Sequence, residues 1–277
     1  MTTKIAVVTG ANKGIGFAIV KGLCARFPGI VYLTARNASK GEAAVNKLHE
    51  LGCFPNFHQL DISDRQSVLR FKNYILANHG GIDLLINNAG VQFYKPYEEP
   101  LLAISEKTIR GNYGNVRDTC EDLFPAMRHD GRIINTSSSF GHLSMIPGEN
   151  IRTALGNPNL TLRQLNNLVD SFIDSVRKGT NVADGWGDDP YKVSKVVLTA
   201  LTFVQQRYLA RSTNIKVNAV NPGYVNTDMT RGQGVLTTDQ GAEPALYLAL
   251  DAPDSVKGSL LWSNKQIVSW TGAFPGY

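Results

Sequence analysis

Cysteine is scarce in this chain of 277 residues: Cys24, Cys53 and Cys120, odd in number and widely spaced. A disulfide-stapled fold is thereby excluded, as is a zinc site built on paired cysteines. The five histidines, His49, His58, His79, His129 and His142, show no ligand spacing, so no metal is expected. Long apolar runs are also missing. Stretches such as Ile5–Val8 and Val196–Leu198 fall far short of the roughly 20 residues that a membrane helix needs. No basic segment followed by an apolar one precedes the first strand-like run, which argues against a secretory leader. Basic residues outnumber acidic ones, 28 to 23, yet they are scattered singly, whereas nucleic-acid binders cluster them. No G-x-S-x-G elbow is present to suggest a hydrolase. These absences describe a cytoplasmic protein with no membrane, nucleic-acid or metal partner.

What is present is a core. With 43% hydrophobic and 18% charged residues, the composition suits a globular chain, and at this length roughly three-quarters of the unfolded surface can be buried. Short β-branched runs alternate with helical patterns. Strands are predicted at Lys4–Val8, Ile30–Thr34, Phe57–Leu60, Leu84–Ile86, Arg132–Asn135, Ile215–Val220 and Ser259–Trp262. Helices are predicted from Gly14 to Phe27, over Ser39–Leu51, over Ser63–Asn78 with a Ser63/Gln66 capping box, from Ser105 to Met127, over Tyr191–Ala210 and over Asp239–Leu250. Strands separated by helices of ten or more residues imply βαβ units and a parallel sheet covered on both faces. The expected fold is α/β: one doubly wound domain spanning residues 1–277.

One stretch interrupts the alternation, from about Gly141 to Pro190. Thr161 and Gln164 offer a capping box there, and Leu162, Leu165, Leu168, Val169, Phe172, Ile173 and Val176 make one apolar face. The stretch 141–190 therefore reads as an insertion carrying a helix that Gly179 ends.

Chemistry starts at the first turn, Thr9-Gly10-Ala11-Asn12-Lys13-Gly14-Ile15-Gly16. Glycines between a first strand and a helix let the backbone approach a pyrophosphate, and the helix start offers unpaired N–H groups and a positive dipole end. The spacing is T-G-x-x-x-G-x-G. Further on come Asn87-Asn88-Ala89-Gly90, Asn112, Ser137-Ser138, Tyr191-Lys192-Val193-Ser194-Lys195, and Asn221-Pro222-Gly223 with Thr227-Asp228-Met229. Six such matches in order, each at a predicted strand or helix end, resemble the short-chain dehydrogenase/reductase family along nearly the whole chain. A Rossmann-type fold and an NADP cofactor are what the resemblance implies.

Tyr191 and Lys195 stand at i and i+4, on one helix face. A nearby ammonium favours phenolate and is expected to bring the tyrosine pKa down, which makes Tyr191 the candidate general acid. By resemblance, Ser138 gives the carbonyl oxygen a second hydrogen bond, Asn112 holds a water that relays protons through Lys195, and Lys195 also reaches the nicotinamide ribose. The cofactor contacts implied in the same way are Gly10, Asn12, Lys13, Gly14, Ile15 and Gly16, then Asp61 and Ile62 at the adenine, Asn88, Ala89 and Gly90, and Pro222, Gly223, Val225 and Thr227. After the second strand stands Arg36, where NAD-preferring relatives of this fold carry an acid. Arg36 and Lys13 together favour NADPH, because two cations make charge-assisted bonds to a 2′-phosphate.

Ser138 and Tyr191 lie 53 positions apart, with the helical insertion between them. That placement resembles the cytosolic monomeric NADPH carbonyl reductases of animals. The activity implied is hydride transfer to quinones, aldehydes or ketones, with Phe93, Tyr224 and Met229 as walls for the small carbonyl substrate, and Trp262 as either wall or core. A redox sensor that binds NADPH without turnover, and an alcohol or steroid dehydrogenase of the same fold, are the alternatives.

Overall fold

The first β-branched run forms β1 (Lys4–Val8), and the glycine-rich turn leads into α1 (Gly14–Arg26). Then follow β2 (Gly29–Ala35), α2 (Ala38–Glu50), β3 (Asn56–Gln59), α3 (Arg65–His79) and β4 (Ile82–Asn87). The middle of the chain gives α4 (Leu101–Ile109), a π turn (Arg110–Gly114), α5 (Asn115–Leu123) and β5 (Met127–Thr136). The insertion carries α6 (Glu149–Leu155) and α7 (Leu162–Lys178). Last come α8 (Pro190–Leu209), β6 (Lys216–Val220), α9 (Thr238–Leu246), β7 (Leu260–Leu261) and β8 (Ile267–Val268). This computed structural model describes residues 2–276; Met1 and Tyr277, the two ends of the span read as one domain, lie outside the described residues.

The strands form an eight-stranded sheet in the order β3-β2-β1-β4-β5-β6-β7-β8. Every pairing is parallel except β7 with β8. Both faces are covered, as the apolar strands require. Ile5 and Val7 of β1 join the core on the α3, α5 and α8 side, while Ala6 and Val8 join the one beneath α1, α2 and α9. Strand order reverses between β1 and β4, and a crevice opens there at the strand ends, the usual ligand site of such sheets.

Three local readings are corrected, and one strand goes unread. The cap of α3 is Asp64, whose side chain accepts from the Gln66 amide, because the Ser63 hydroxyl is already donated to Asp61 at 2.6 Å. The helix predicted from Ser105 to Met127 begins at Leu101, is broken by the π turn and ends at Leu123. Strand β5 starts five residues before the predicted Arg132, at Met127. The antiparallel β8 lacks any pattern long enough to read.

The insertion folds back onto the sheet's own helices. α7 opens with the Thr161/Gln164 capping box and ends at Gly179, which takes the left-handed conformation. Its apolar face packs against α4 and α8, burying Leu165, Val169, Phe172 and Val176. Phe172 meets the buried Trp186 with ring centroids 5.5 Å apart.

Candidate active site

At the end of β1 the chain must turn under two close neighbours. Gly10 has φ +62°, and a Cβ on it would stand 2.9 Å from Ala89. At Gly16 a Cβ would fall 2.5 Å from the Asn88 amide nitrogen and 2.8 Å from the Gly10 carbonyl oxygen. Only glycines allow this cradle. Asn88 secures it by donating from its side chain to the carbonyls of Thr9 and Gly10, at 3.0 and 3.2 Å. No side chain caps α1 at Lys13, so the first-turn amides face the crevice with their hydrogen-bonding capacity unused, as an anion site requires.

Next to the cradle lies a second cluster. Asp189 caps α8 through the amides of Tyr191 and Lys192, which sets the tyrosine in the first turn. The Tyr191 ring is buried and meets Phe140 edge-on at 6.3 Å. Ser138 is half-buried just beyond β5, where its hydroxyl accepts from the Phe140 amide at 3.2 Å and stands close enough to the Tyr191 phenol to lower its pKa. Ser137 is turned away: it is buried, and its hydroxyl shares a 2.7 Å bond with Thr199. The Lys195 ammonium donates to the Thr136 carbonyl at 2.8 Å and lies 5.7 Å from the Tyr191 ring centre.

Asn112 occupies the π turn, a geometry frequent at functional sites. Its side chain exchanges bonds with the main chain of Val91, and it also donates to Ser194, whose hydroxyl donates to the Tyr191 carbonyl. In this way Asn112 ties the loop after β4 to the first turn of α8.

Electrostatics here run against one expectation. Burial pushes the Tyr191 phenol well above its ordinary value, Tyr94 adds to the rise, and the nearby Ser138 hydroxyl opposes it. Burial also pulls the Lys195 ammonium down to about 8. Both groups lose water, so each favours its neutral form. The lysine does not bring the tyrosine down, since its ammonium is aimed at Thr136.

Cradle and cluster share one cleft of about 850 Å³. Gly10, Asn12, Lys13, Gly14, Ile15, Gly16, Arg36, Asp61, Ile62, Asn88, Ala89, Gly90, Tyr191, Lys195, Pro222, Thr227 and Met229 all line it. Phe93, Tyr224, Asn112 and Ser138 stand outside this lining, although Asn112 and Ser138 touch it through Val91 and Tyr191. Gly223 sits behind it against Leu236 and Ser263, and the Val225 side chain is buried in the wall. Trp262 belongs to the core, packed on Phe274 at 5.8 Å. Among the cysteines Cys120 is buried, while Cys24 and Cys53 are half-buried. Lys13 departs from the picture of two cations at one phosphate: its ammonium is paired with Asp228 at 2.6 Å, and both are exposed.

Several lining residues carried no signal in sequence. Asn115 and Thr136 line the cleft, and each keeps a buried side-chain oxygen without a hydrogen-bond partner. The loop after β4 forms a roof. Lys95 pairs with Asp188 at 2.6 Å, Tyr94 donates to the Met229 carbonyl at 2.6 Å, and the Arg231 guanidinium lies 4.6 Å over the Tyr94 ring.

Residues 4–149 match the short chain dehydrogenase family. Carbonyl reductase (NADPH) 3 of Mus musculus is 39% identical, over 97% of this chain and 99% of its own length. The chain belongs to the short-chain dehydrogenase family. Carbonyl reductase (NADPH) 1 of Homo sapiens is 37% identical over 96% of this chain and 98% of its own. Among solved family structures, salutaridine reductase from Papaver somniferum superposes with a TM-score of 0.83 at 31% identity, covering 93% of this chain and 99% of its own. Menthone neomenthol reductase from Mentha piperita gives 0.79 at 26% identity, over 95% and 99%. In this family member no helix of the described residues is long and apolar enough to cross a membrane, and no cluster among them could hold a metal ion.

Proposed function

We propose that this chain is an NADPH-dependent carbonyl reductase that reduces aldehydes or ketones to alcohols and quinones to hydroquinones. The observation that carries the reading is one cleft that joins a glycine cradle, Arg36, Tyr191 and Lys195, with Ser138 beside the tyrosine. Its volume of about 850 Å³ lies near the top of the range for small-molecule sites, roughly 300–1,000 Å³, as an extended dinucleotide requires. Relatives named for NADPH carbonyl reduction along nearly their whole length support the same reading.

Gly10 to Gly16 and the start of α1 hold the pyrophosphate. Arg36 meets the 2′-phosphate, with Lys13 adding to the field, and Asp61 and Ile62 border the adenine. Asn88, Ala89, Gly90, Pro222 and Thr227 line the remainder, Gly223 backs it, and Val225 can contribute only main-chain atoms. Bound NADPH supplies the hydride. Tyr191 keeps its proton through neutral pH, since burial raises its pKa, and gives it to the carbonyl oxygen. Ser138 donates a second hydrogen bond to that oxygen and stabilises its developing charge. Lys195 recharges the tyrosine and reaches the ribose; Asn112 holds the Tyr191 backbone in place.

The chain acts as one nucleotide-binding unit with residues 141–190 inserted, and as a cytoplasmic monomer. Support for the monomer comes from α7, which covers α4 and α8 within the same chain. The test is NADPH oxidation followed by nicotinamide absorbance with a panel of quinones, aromatic aldehydes and ketones. Tight NADPH binding with no turnover of any of them would refute the reading and leave the sensor.

A further inference from the structure

The roof over the cleft holds a cation that no part of the proposed chemistry uses. Arg231 follows the 3-10 turn Asp228–Thr230 and lines the cleft. Its φ is +52°, the left-handed region that a non-glycine residue enters at an energetic cost. Lys13 and Lys95 near the rim are paired, with Asp228 and Asp188, and Arg36 is assigned to the cofactor's 2′-phosphate. No ion pair among the described residues includes Arg231.

Its guanidinium lies 4.6 Å over the ring of Tyr94. Stacking occupies one flat face and leaves the N–H edges for a ligand in the planar fork that fits a carboxylate. Tyr94 itself is fixed, since its hydroxyl donates to the Met229 carbonyl at 2.6 Å. It stands close enough to Tyr191 to raise that group's pKa. A flat substrate whose carbonyl rests on Tyr191 would therefore extend outward past Tyr94 and Met229, and its far end would meet Arg231.

We propose that Arg231, held on Tyr94, is a specificity-determining anion site, and that the preferred substrates are carbonyl compounds bearing a carboxylate at the end remote from the reacting carbon. The proposal rests on the carbonyl reductase reading and names its substrate class.

The test compares 4-formylbenzoate with its methyl ester in the wild-type protein with NADPH, and in Arg231→Gln, Arg231→Lys and Tyr94→Leu. Arg231→Gln should raise KM for the acid at least tenfold, with KM for the ester and for NADPH changed less than twofold. Arg231→Lys should keep part of the preference for the acid, and Tyr94→Leu should weaken it by releasing the guanidinium from its shelf. Equal losses for acid and ester overturn the proposal. So does a selective rise in KM for NADPH, which would assign the cation to a cofactor phosphate. If the wild-type protein reduces neither aldehyde, the carbonyl reductase reading fails by itself. Calorimetric titration of NADP-loaded protein with 4-methylbenzoate and 4-methylbenzamide then decides the anion site. Benzoate binding that disappears in Arg231→Gln upholds it; no discrimination between acid and amide, or no binding of either, overturns it.

Discussion

Arg36 stands directly after β2 on the edge of the cleft, with its side chain in solvent. Its main-chain carbonyl accepts from Gln59 at 2.9 Å, a bond that any side chain at this position would keep. Arg36→Asp should therefore leave fold and thermal stability alone and act on the cofactor. Two effects add on the 2′-phosphate: loss of a charge-assisted hydrogen bond and the approach of a repelling carboxylate. Hydrogen bonds to charged groups contribute about 1.5–3 kcal/mol, and exposure argues for the lower half of that range. The expected rise in KM for NADPH is roughly tenfold to hundredfold. NADH should lose nothing and can gain, because a carboxylate after β2 accepts from the ribose 2′-hydroxyl. Lys13→Ala should cost less, since Lys13 already belongs to the exposed pair with Asp228. The assay is kcat/KM for both cofactors with one carbonyl substrate, at low and at high salt. Added salt should shrink the difference between wild type and variant, because it screens exposed charges. Equal losses with NADPH and NADH would refute the assignment and make Arg36 structural.

Tyr191→Phe should fold and bind NADPH normally but turn over an aldehyde about 10²- to 10⁴-fold more slowly, and Ser138→Ala should lose less; wild-type turnover in Tyr191→Phe would remove the general acid. Lys195 is cationic below about 8 and neutral above it, so kcat/KM for NADPH should fall as pH rises through that value. Lys195→Arg keeps its charge and should abolish this limb; an unchanged limb would place the titration elsewhere. Phe172→Ala should lower stability by about 3–5 kcal/mol, read by denaturant unfolding, because the ring is buried against Trp186. Sedimentation equilibrium should give the mass of one chain at micromolar concentration, and a mass near twice that would refute intramolecular cover by α7.

The order of elements was legible because each carries its own local pattern. β1 and β4 are short, apolar and flanked by Gly-rich or Asn-rich turns, and the sheet buries both of their faces. The glycine cradle was legible for a related reason: its positions are dictated by backbone approach, which leaves a residue type at a fixed spacing. The π turn left a fainter trace, Gly111 and Gly114 on either side of Asn112. Two glycines inside a helix lower its intrinsic stability, and that signal could have located the irregularity. β7 and β8 have two residues each, too short for a periodicity of two to be distinguished from chance.

The catalytic cluster shows where such reading ends. Tyr191 and Lys195 could be placed on one helix face from spacing alone, but the direction of the tyrosine's pKa could not. That direction depends on how much water each group loses and on where the ammonium is aimed, and the Thr136 carbonyl that receives it comes from β5, nearly sixty residues earlier in the chain. Likewise only the fold shows that Thr199 of α8 occupies the neighbouring Ser137 hydroxyl. The roof is the extreme case. Tyr94 and Arg231 come from two irregular loops, one after β4 and one after β6, and neither loop has a period that could reveal the other. Local physics writes the elements into the sequence, whereas contacts between distant loops exist only once the sheet has aligned its strand ends. The proposed specificity site is built from those contacts, and for that reason the substrate was the property least legible in the sequence.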